Sequence, residues 1–318
     1  MDLLAGKCKF DKAMKIVDIS IVIRTLNEGR YLGNLLDAIN HQKCDFNYEV
    51  VLIDSGSTDQ TLFIAKKYGC RILHISREEF SFGRSLNRAC QASAGKYLIL
   101  ISGHCVPTDT MWMQNLADPL NKGIADYVYG RQIGGPDTYW SESQIFDKYF
   151  SSTNQLPQTG FYCNNANSII NRDAWELYKF DEELTGLEDM HLAKRLATAG
   201  GSIGYVAEAC VYHLHHENWS QIRRRFEREA LALQQICPEV IVRRRDFIRY
   251  FVRAVIQDTW TSKSKALNIR HLFNIFAYRY FQYRGSFKGN KIQKMISNQL
   301  RDSYFYPTQS KGTPLTSR

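Results

Sequence analysis

Two short β-branched runs end in side chains able to hold a ligand. ISIVIRTLNE at 19–28 breaks into Thr25, Asn27 and Glu28, and EVVLIDSGSTD at 49–59 breaks into Asp54, Ser55 and a Gly-Ser-Thr-Asp loop. An open α/β sheet binds its ligands at the carboxyl ends of its strands, where such residues collect. Thr25, Asn27 and Glu28 are predicted to start a helix, and Ser57, Thr58 or Asp59 to cap the next one. Asp54 suits the imide N–H of a uracil or thymine ring, although Asp-Ser-Gly is equally ordinary turn chemistry. His104 follows a third strand-like run, KYLILIS, and His213 and His215 close a fourth, IGYVAEACVYH. In a strand, 213 and 215 share one face and His216 takes the other. A neutral imidazole suits Mn²⁺ and other transition ions better than Mg²⁺, which prefers oxygen. His104 and His213 are therefore the candidate metal ligands, against the ordinary alternative of hydrogen-bonded histidines. Glu188 and Asp189 open a helical pattern, a place the helix dipole favours for acids.

These residues need a frame that brings them together. Strand-like and helix-like segments alternate from Ile19 to about Ser102, which is the rhythm of βαβ units. The pattern predicts helices over 59–68 and 82–94, with strands over 71–75 and 96–101. A strand follows over 126–133, then a substrate-side loop with a short helix over 134–163. Residues 168–170 form a strand leading to a helix from Arg172. A helix over 189–199 is closed by Gly200-Gly201, before a strand over 203–213. Strand signals end near Trp219. The expected organisation is an N-terminal extension over 1–17, an α/β domain over 18–220 and a basic helical region over 221–318.

The TLNE strand end, the DSGSTD loop and the Glu188-Asp189 helix start together resemble the family-2 glycosyltransferases of the GT-A fold, over about residues 18–218. The resemblance implies an α/β fold, a Rossmann-like, mostly parallel sheet flanked by helices, with a C-terminal helical extension. It implies a UDP- or dTDP-sugar whose nucleotide contacts Thr25, Asn27, Glu28, Asp54, Ser55, Arg84, Ser102 and Gly103. A solvated helix face is the competing reading of Arg84 and its neighbour Asn87. Where most relatives carry Asp-x-Asp for the ion that bridges the donor diphosphate, this chain has Ser102-Gly103-His104, similar to a rhamnosyltransferase-like subset. A divalent metal (Mn²⁺ or Mg²⁺) is expected there; a metal-independent or inactive site is the alternative. The resemblance makes Asp189 the catalytic base of an inverting transfer, with Glu188 orienting it. It also sets Asn165 and Asn167 beneath the acceptor, with a polar turn as the rival reading.

Composition bounds the rest. The chain has 318 residues, ordinary hydrophobic content and a net charge of +9 concentrated in its last third. Eight scattered cysteines without a CxxC pair fit reduced thiols, and no run approaches the roughly 20 apolar residues of a membrane span. A cytoplasmic protein is expected, peripheral on the inner face of the cell membrane if residues 240–260 lie on anionic lipid. A core-docked helix is the rival for that segment. Expected partners are a nucleotide-diphosphate sugar and a glycan or lipid-linked acceptor. Nucleic-acid binding would need stacking platforms or a known module, and neither is legible.

Overall fold

The computed structural model describes residues 16–262 and 268–291. The expected N-terminal extension lies almost wholly outside that range, as does the basic stretch 263–267. One eight-stranded sheet organises the chain in the order β3-β2-β1-β4-β7-β6-β8-β5. Its strands are β1 (Ile19–Thr25), β2 (Tyr48–Asp54), β3 (Arg71–His74), β4 (Tyr97–Ser102), β5 (Cys105–Pro107), β6 (Tyr127–Ile133), β7 (Asn167–Asn171) and β8 (Ile203–His213). Strands β1 to β4 pair in parallel, as do β6 and β8, whereas β7 and β5 run against their neighbours.

The β-branched alternation decides both faces of the sheet. Ile19, Ile21 and Ile23 point into one core layer with α1 (Leu32–Asn40), while Val22 points into the other with α3 (Phe82–Ala92). Strand β4 divides likewise, with Ile99 and Ile101 opposite Leu98 and Leu100. Each such side chain, fully buried, is worth about 1.5–3 kcal/mol, so a one-residue slip of register would be prohibitive. Helices α2 (Thr61–Lys67), α4 (Trp112–Asn121), α5 (Trp140–Tyr149), α6 (Arg172–Tyr178) and α7 (Glu188–Thr198) complete the α/β part.

Three local expectations are corrected. The helix after β1 starts at Leu32, because Asn27 takes a left-handed conformation (φ 58°) and lends its side-chain oxygen to the Thr58 N–H. Strand β5 and helix α4 fill 105–121, where no element was expected; Pro119 inside α4 hides the helical pattern. Within 134–163 the short helix is a full ten-residue α5.

Beyond β8 the chain is helical: α8 (Trp219–Ile236), α9 (Arg244–Thr261) and α10 (Ile269–Lys291). A reciprocal cap starts α8, with the Asn218 side chain accepting from Gln221 N–H and the Gln221 side chain accepting from Asn218 N–H. Helix α10 lies directly on α8; a Cβ on Gly289 would sit 2.1 Å from the Glu227 carbonyl, so only glycine permits that approach. A buried ion pair, Arg279 Nε to Asp258 Oδ2 at 2.7 Å, ties α10 to α9.

Candidate active site

The carboxyl ends of β1 and β2 form a closed polar knot. Asp54 is 1% exposed and its carboxylate accepts from the Thr25 hydroxyl (3.2 Å), the Gly56 and Ser57 N–H groups (2.9 Å each) and the Ser57 hydroxyl. Ser55 is buried and bonds back to the Thr25 carbonyl through both N–H and hydroxyl. The main-chain N–H of Asn27 donates to Ser57 Oγ and that of Gly29 to Asp59. Of the two readings of Asp54, the turn chemistry is the one realised: a carboxylate has about four acceptor positions, and four protein donors occupy them.

Next to the knot, the β4 end opens into a cluster of histidines. Glu28 Oε1 lies 2.8 Å from His104 Nδ1, and the Glu28 side chain runs so close to Gly103 that a Cβ there would meet it at 2.8 Å. His213 Nδ1 lies 2.7 Å from Gln132 Oε1, and His215 Nδ1 lies 2.7 Å from Glu142 Oε1. Each of these oxygens can only accept, so each ring carries its proton on Nδ1 and keeps the lone pair on Nε2. His104 Nε2 and His213 Nε2 stand 3.2 Å apart, and one ligand atom from each of the three residues lies within 4.8 Å of the other two. Partners that fix the tautomer and leave lone pairs convergent are the arrangement found behind metal-bound imidazoles. The donor set thus fits a nitrogen-tolerant ion such as Mn²⁺ and departs from the oxygen set that Mg²⁺ prefers. Burial, His215 and His104 push His213 well below the ordinary histidine range, which keeps it neutral. For His104, burial acts downward, but the Glu28 charge and hydrogen bond outweigh it and raise the value.

Glu142, His215 and Glu217 also converge, but the Arg225 guanidinium fills that group, 2.7 Å from both Glu142 Oε1 and Glu217 Oε2. Burial would raise Glu142, yet His215 and Arg225 bring it down to about 2. This network fixes His215 through α5 and α8.

Helix α7 presents Glu188 and Asp189 after Leu187, whose left-handed backbone (φ 55°) turns the chain into the helix. Asp189 is 7% exposed and accepts from the main-chain N–H of Asn165 (2.8 Å) and of Met190 (2.8 Å). Burial, with the neighbouring Glu188 charge, raises it to about 7. The helix dipole favours an ionised acid there, but desolvation is the larger effect. Arg24, on β1, reaches Glu188 at 3.4 Å and lies over the Phe82 ring (4.3 Å). Arg228, on α8, lies over the same ring (4.4 Å), and its Nε is buried without a hydrogen-bond partner.

The expected residues divide into three groups. Thr25, Asn27, Asp54 and Ser55 are brought together in the knot, Glu28, Gly103, His104 and His213 at the histidine cluster beyond Ser102 of β4, and Asn165, Glu188 and Asp189 at the start of α7. Asn167 belongs to none of these: it is fully buried, accepting from Trp112 and donating to the carbonyls of Arg131 and Ala209, so it braces the sheet and cannot touch a sugar. Asn165 donates its N–H to Asp189, and its side-chain Nδ2 is buried and unpartnered. Arg84 and Asn87 are committed elsewhere, Arg84 to Glu182 at 2.7 Å and Asn87 to the main chain of Phe180. Sequence reasoning missed Gln132, Glu142, Arg24 and Arg228. Only His215 carried a usable signal, its two-residue spacing from His213.

This geometry, an α/β sheet whose strand ends carry three convergent histidines and whose α7 opens on two buried acids, agrees with three kinds of comparison. The model of Glycosyl transferase family 2 matches residues 20–178, half of the chain, and the protein belongs to that family. The chain is 27% identical over 212 residues to the O-antigen chain rhamnosyltransferase RfbN of Salmonella typhimurium, covering 62% of this chain and 67% of that one. It is equally similar, at 27% over 213 residues, to the O-antigen chain rhamnosyltransferase WbaN of Salmonella anatum, with 62% and 66% covered. The match thus spans about two thirds of the length of these relatives. Among solved structures, a mannosyltransferase from Pyrobaculum calidifontis in complex with GDP-Man and Mn²⁺ superposes with a TM-score of 0.57, 15% identity and coverage of 85% and 84%. Glucosyl-3-phosphoglycerate synthase from Mycobacterium tuberculosis, in complex with Mn²⁺, UDP and glucosyl-3-phosphoglycerate, gives 0.53 at 20% identity, covering 71% and 81%. The shared fold is GT-A.

Proposed function

We propose that this protein is an inverting glycosyltransferase that moves a deoxyhexose of the rhamnose type from a nucleoside-diphosphate donor to a hydroxyl of a glycan or lipid-linked acceptor in surface polysaccharide synthesis. The observation that carries the reading is Asp189: a buried carboxylate raised to about 7 and oriented by two main-chain N–H groups. A base with that value titrates near neutral pH, where proton transfer is most effective. As the acceptor oxygen bonds to the anomeric carbon, its proton passes to Asp189 and the nucleoside diphosphate leaves with the electron pair of the broken C–O bond.

A divalent ion held by His104, His213 and His215 would supply positive charge against the donor's diphosphate. Glu28, Gln132 and Glu142 orient those rings. Arg24 and Arg228 add fixed positive charge between the histidines and the base, and the unpartnered Nε of Arg228 is a donor for an anionic oxygen. Asp54, Ser55 and Thr25 hold the loop against which the nucleotide rests. The name of the two Salmonella relatives supports the deoxyhexose and the polysaccharide; a UDP- or dTDP-linked donor is the expectation to test first.

The test pairs binding with turnover. Thermal stabilisation by UDP, dTDP and GDP, with Mn²⁺ and with chelator, identifies the donor class. Transfer by Asp189→Asn is then compared with that of the native protein. Nucleotide binding without transfer from any donor would make the chain a degenerate nucleotide-sugar-binding protein.

A further inference from the structure

Helix α9 carries two parallel ladders on its outer side. Ile248, Val252, Ile256 and Trp260 recur every fourth residue and are 45% to 68% exposed. One position ahead, Arg245, Arg249 and Arg253 recur with the same spacing and are exposed. Four-residue spacing stacks side chains along one helix face, so the apolar and cationic rows run side by side. The opposite side of α9 is the packed one: Phe247 meets Phe287, Phe251 meets Phe276, and Asp258 is sealed by Arg279, which sets α10 antiparallel to it. Helix α10 also exposes Phe273, at 60%.

Charge identifies what would cover such a face. The two helices contain two acids only, Asp246 and Asp258. The first caps α9 through the Arg243 N–H and the second is buried against Arg279. None of Arg245, Arg249 and Arg253 forms an ion pair among the described residues. An exposed apolar ladder costs free energy in water, and adjacent arginines repel a basic partner or a second copy of the same face. No helix among the described residues is long and apolar enough to cross a membrane. We infer that the outer face of α9 and α10 docks in the plane of an anionic lipid leaflet, the row Ile248, Val252 and Ile256 entering the interface and the Arg245–Arg249–Arg253 row meeting the headgroups. Because α10 packs on α8, which carries Arg225 and Arg228, the leaflet would be held in fixed relation to the cleft. The inference does not depend on the transferase reading.

The experiment is vesicle flotation of the full chain with phosphatidylcholine alone and with added phosphatidylglycerol. Binding is expected only with the anionic lipid and should fall with salt. Replacing Arg245, Arg249 and Arg253 together by Gln should weaken it on the order of a hundredfold, at about fivefold per arginine. Ile248→Glu with Ile256→Glu should abolish it while Tm stays unchanged, since both side chains are more than half exposed. Absence of binding to anionic vesicles, or binding indifferent to both variants, overturns the inference. So does a dimer in light scattering that Ile256→Glu dissociates when vesicles do not bind, because the face would then serve self-association.

Discussion

Two regions of the site use buried polar side chains in opposite ways. At the ends of β1 and β2, every acceptor of Asp54 is matched by a protein donor, and Asn27, Ser57, Asp59 and Thr61 link the two loops. At the ends of β4 and β8 and the start of α7, matching is incomplete: two imidazole nitrogens face one another at 3.2 Å, and Arg228 Nε and Asn165 Nδ2 lack partners. Buried polar atoms without partners are costly and rare. A satisfied knot therefore gives rigidity, and an unsatisfied cluster gives a place for ligand and proton. An acidic residue at a strand end is ambiguous until its partners are known.

The largest test of this contrast exchanges the two aspartates. Asp189→Asn should reduce transfer by about 10²–10⁴ while leaving nucleotide binding in place. Asp54→Ala should instead act on folding: stranding two N–H groups and two hydroxyls costs roughly 2–4 kcal/mol, or about 5–10 °C in Tm for a domain of this size. Calorimetry alongside a transfer assay separates them; a stable Asp54→Ala protein that merely loses nucleotide would restore Asp54 as a base-recognising residue.

The second test concerns the support behind the histidines. Glu28→Gln keeps the size but weakens the partner of His104, and should cost about 10–100-fold in Mn²⁺ affinity, measured by calorimetric titration of the metal. An unchanged affinity would mean that His104 does not ligate.

The third test uses pH. Asp189 acts as a base only when ionised, so kcat/KM should rise with pH through an apparent value near 7 and level off above it. Since the Glu188 charge is one cause of the raised value, Glu188→Gln should move that midpoint to lower pH. The same burial makes ionisation of Asp189 a load on the fold: its stabilising contribution is complete below the ordinary aspartate value and is lost as pH rises through about 7. A profile whose midpoint ignores Glu188→Gln would place the base elsewhere.

The smallest effect is expected at Arg84. Its pair with Glu182 is part-exposed and remote from both clusters, so Arg84→Ala should change stability by about 0–1 kcal/mol and leave nucleotide binding alone. A large loss of nucleotide affinity would return Arg84 to the site.

What the sequence determined by itself was the frame and the identity of the chemistry. Period-two alternation of β-branched residues, βαβ rhythm and the Gly200-Gly201 stop are local signals, and they sufficed for β1 to β4, β8 and α7. The segments TLNE, DSGSTD and Glu188-Asp189 were equally local and pointed to the family. The tertiary structure alone decided which polar residues are free to act. Asn165 and Asn167 look alike in sequence, yet one sits beside the base and the other is locked between β6 and β8. His104 and His215 are separated by more than a hundred residues and meet only because β5 pairs with β8. Asp189 stands near 7 because the fold removes water from it, and desolvation is a property of the packed surroundings that no spacing along the chain encodes.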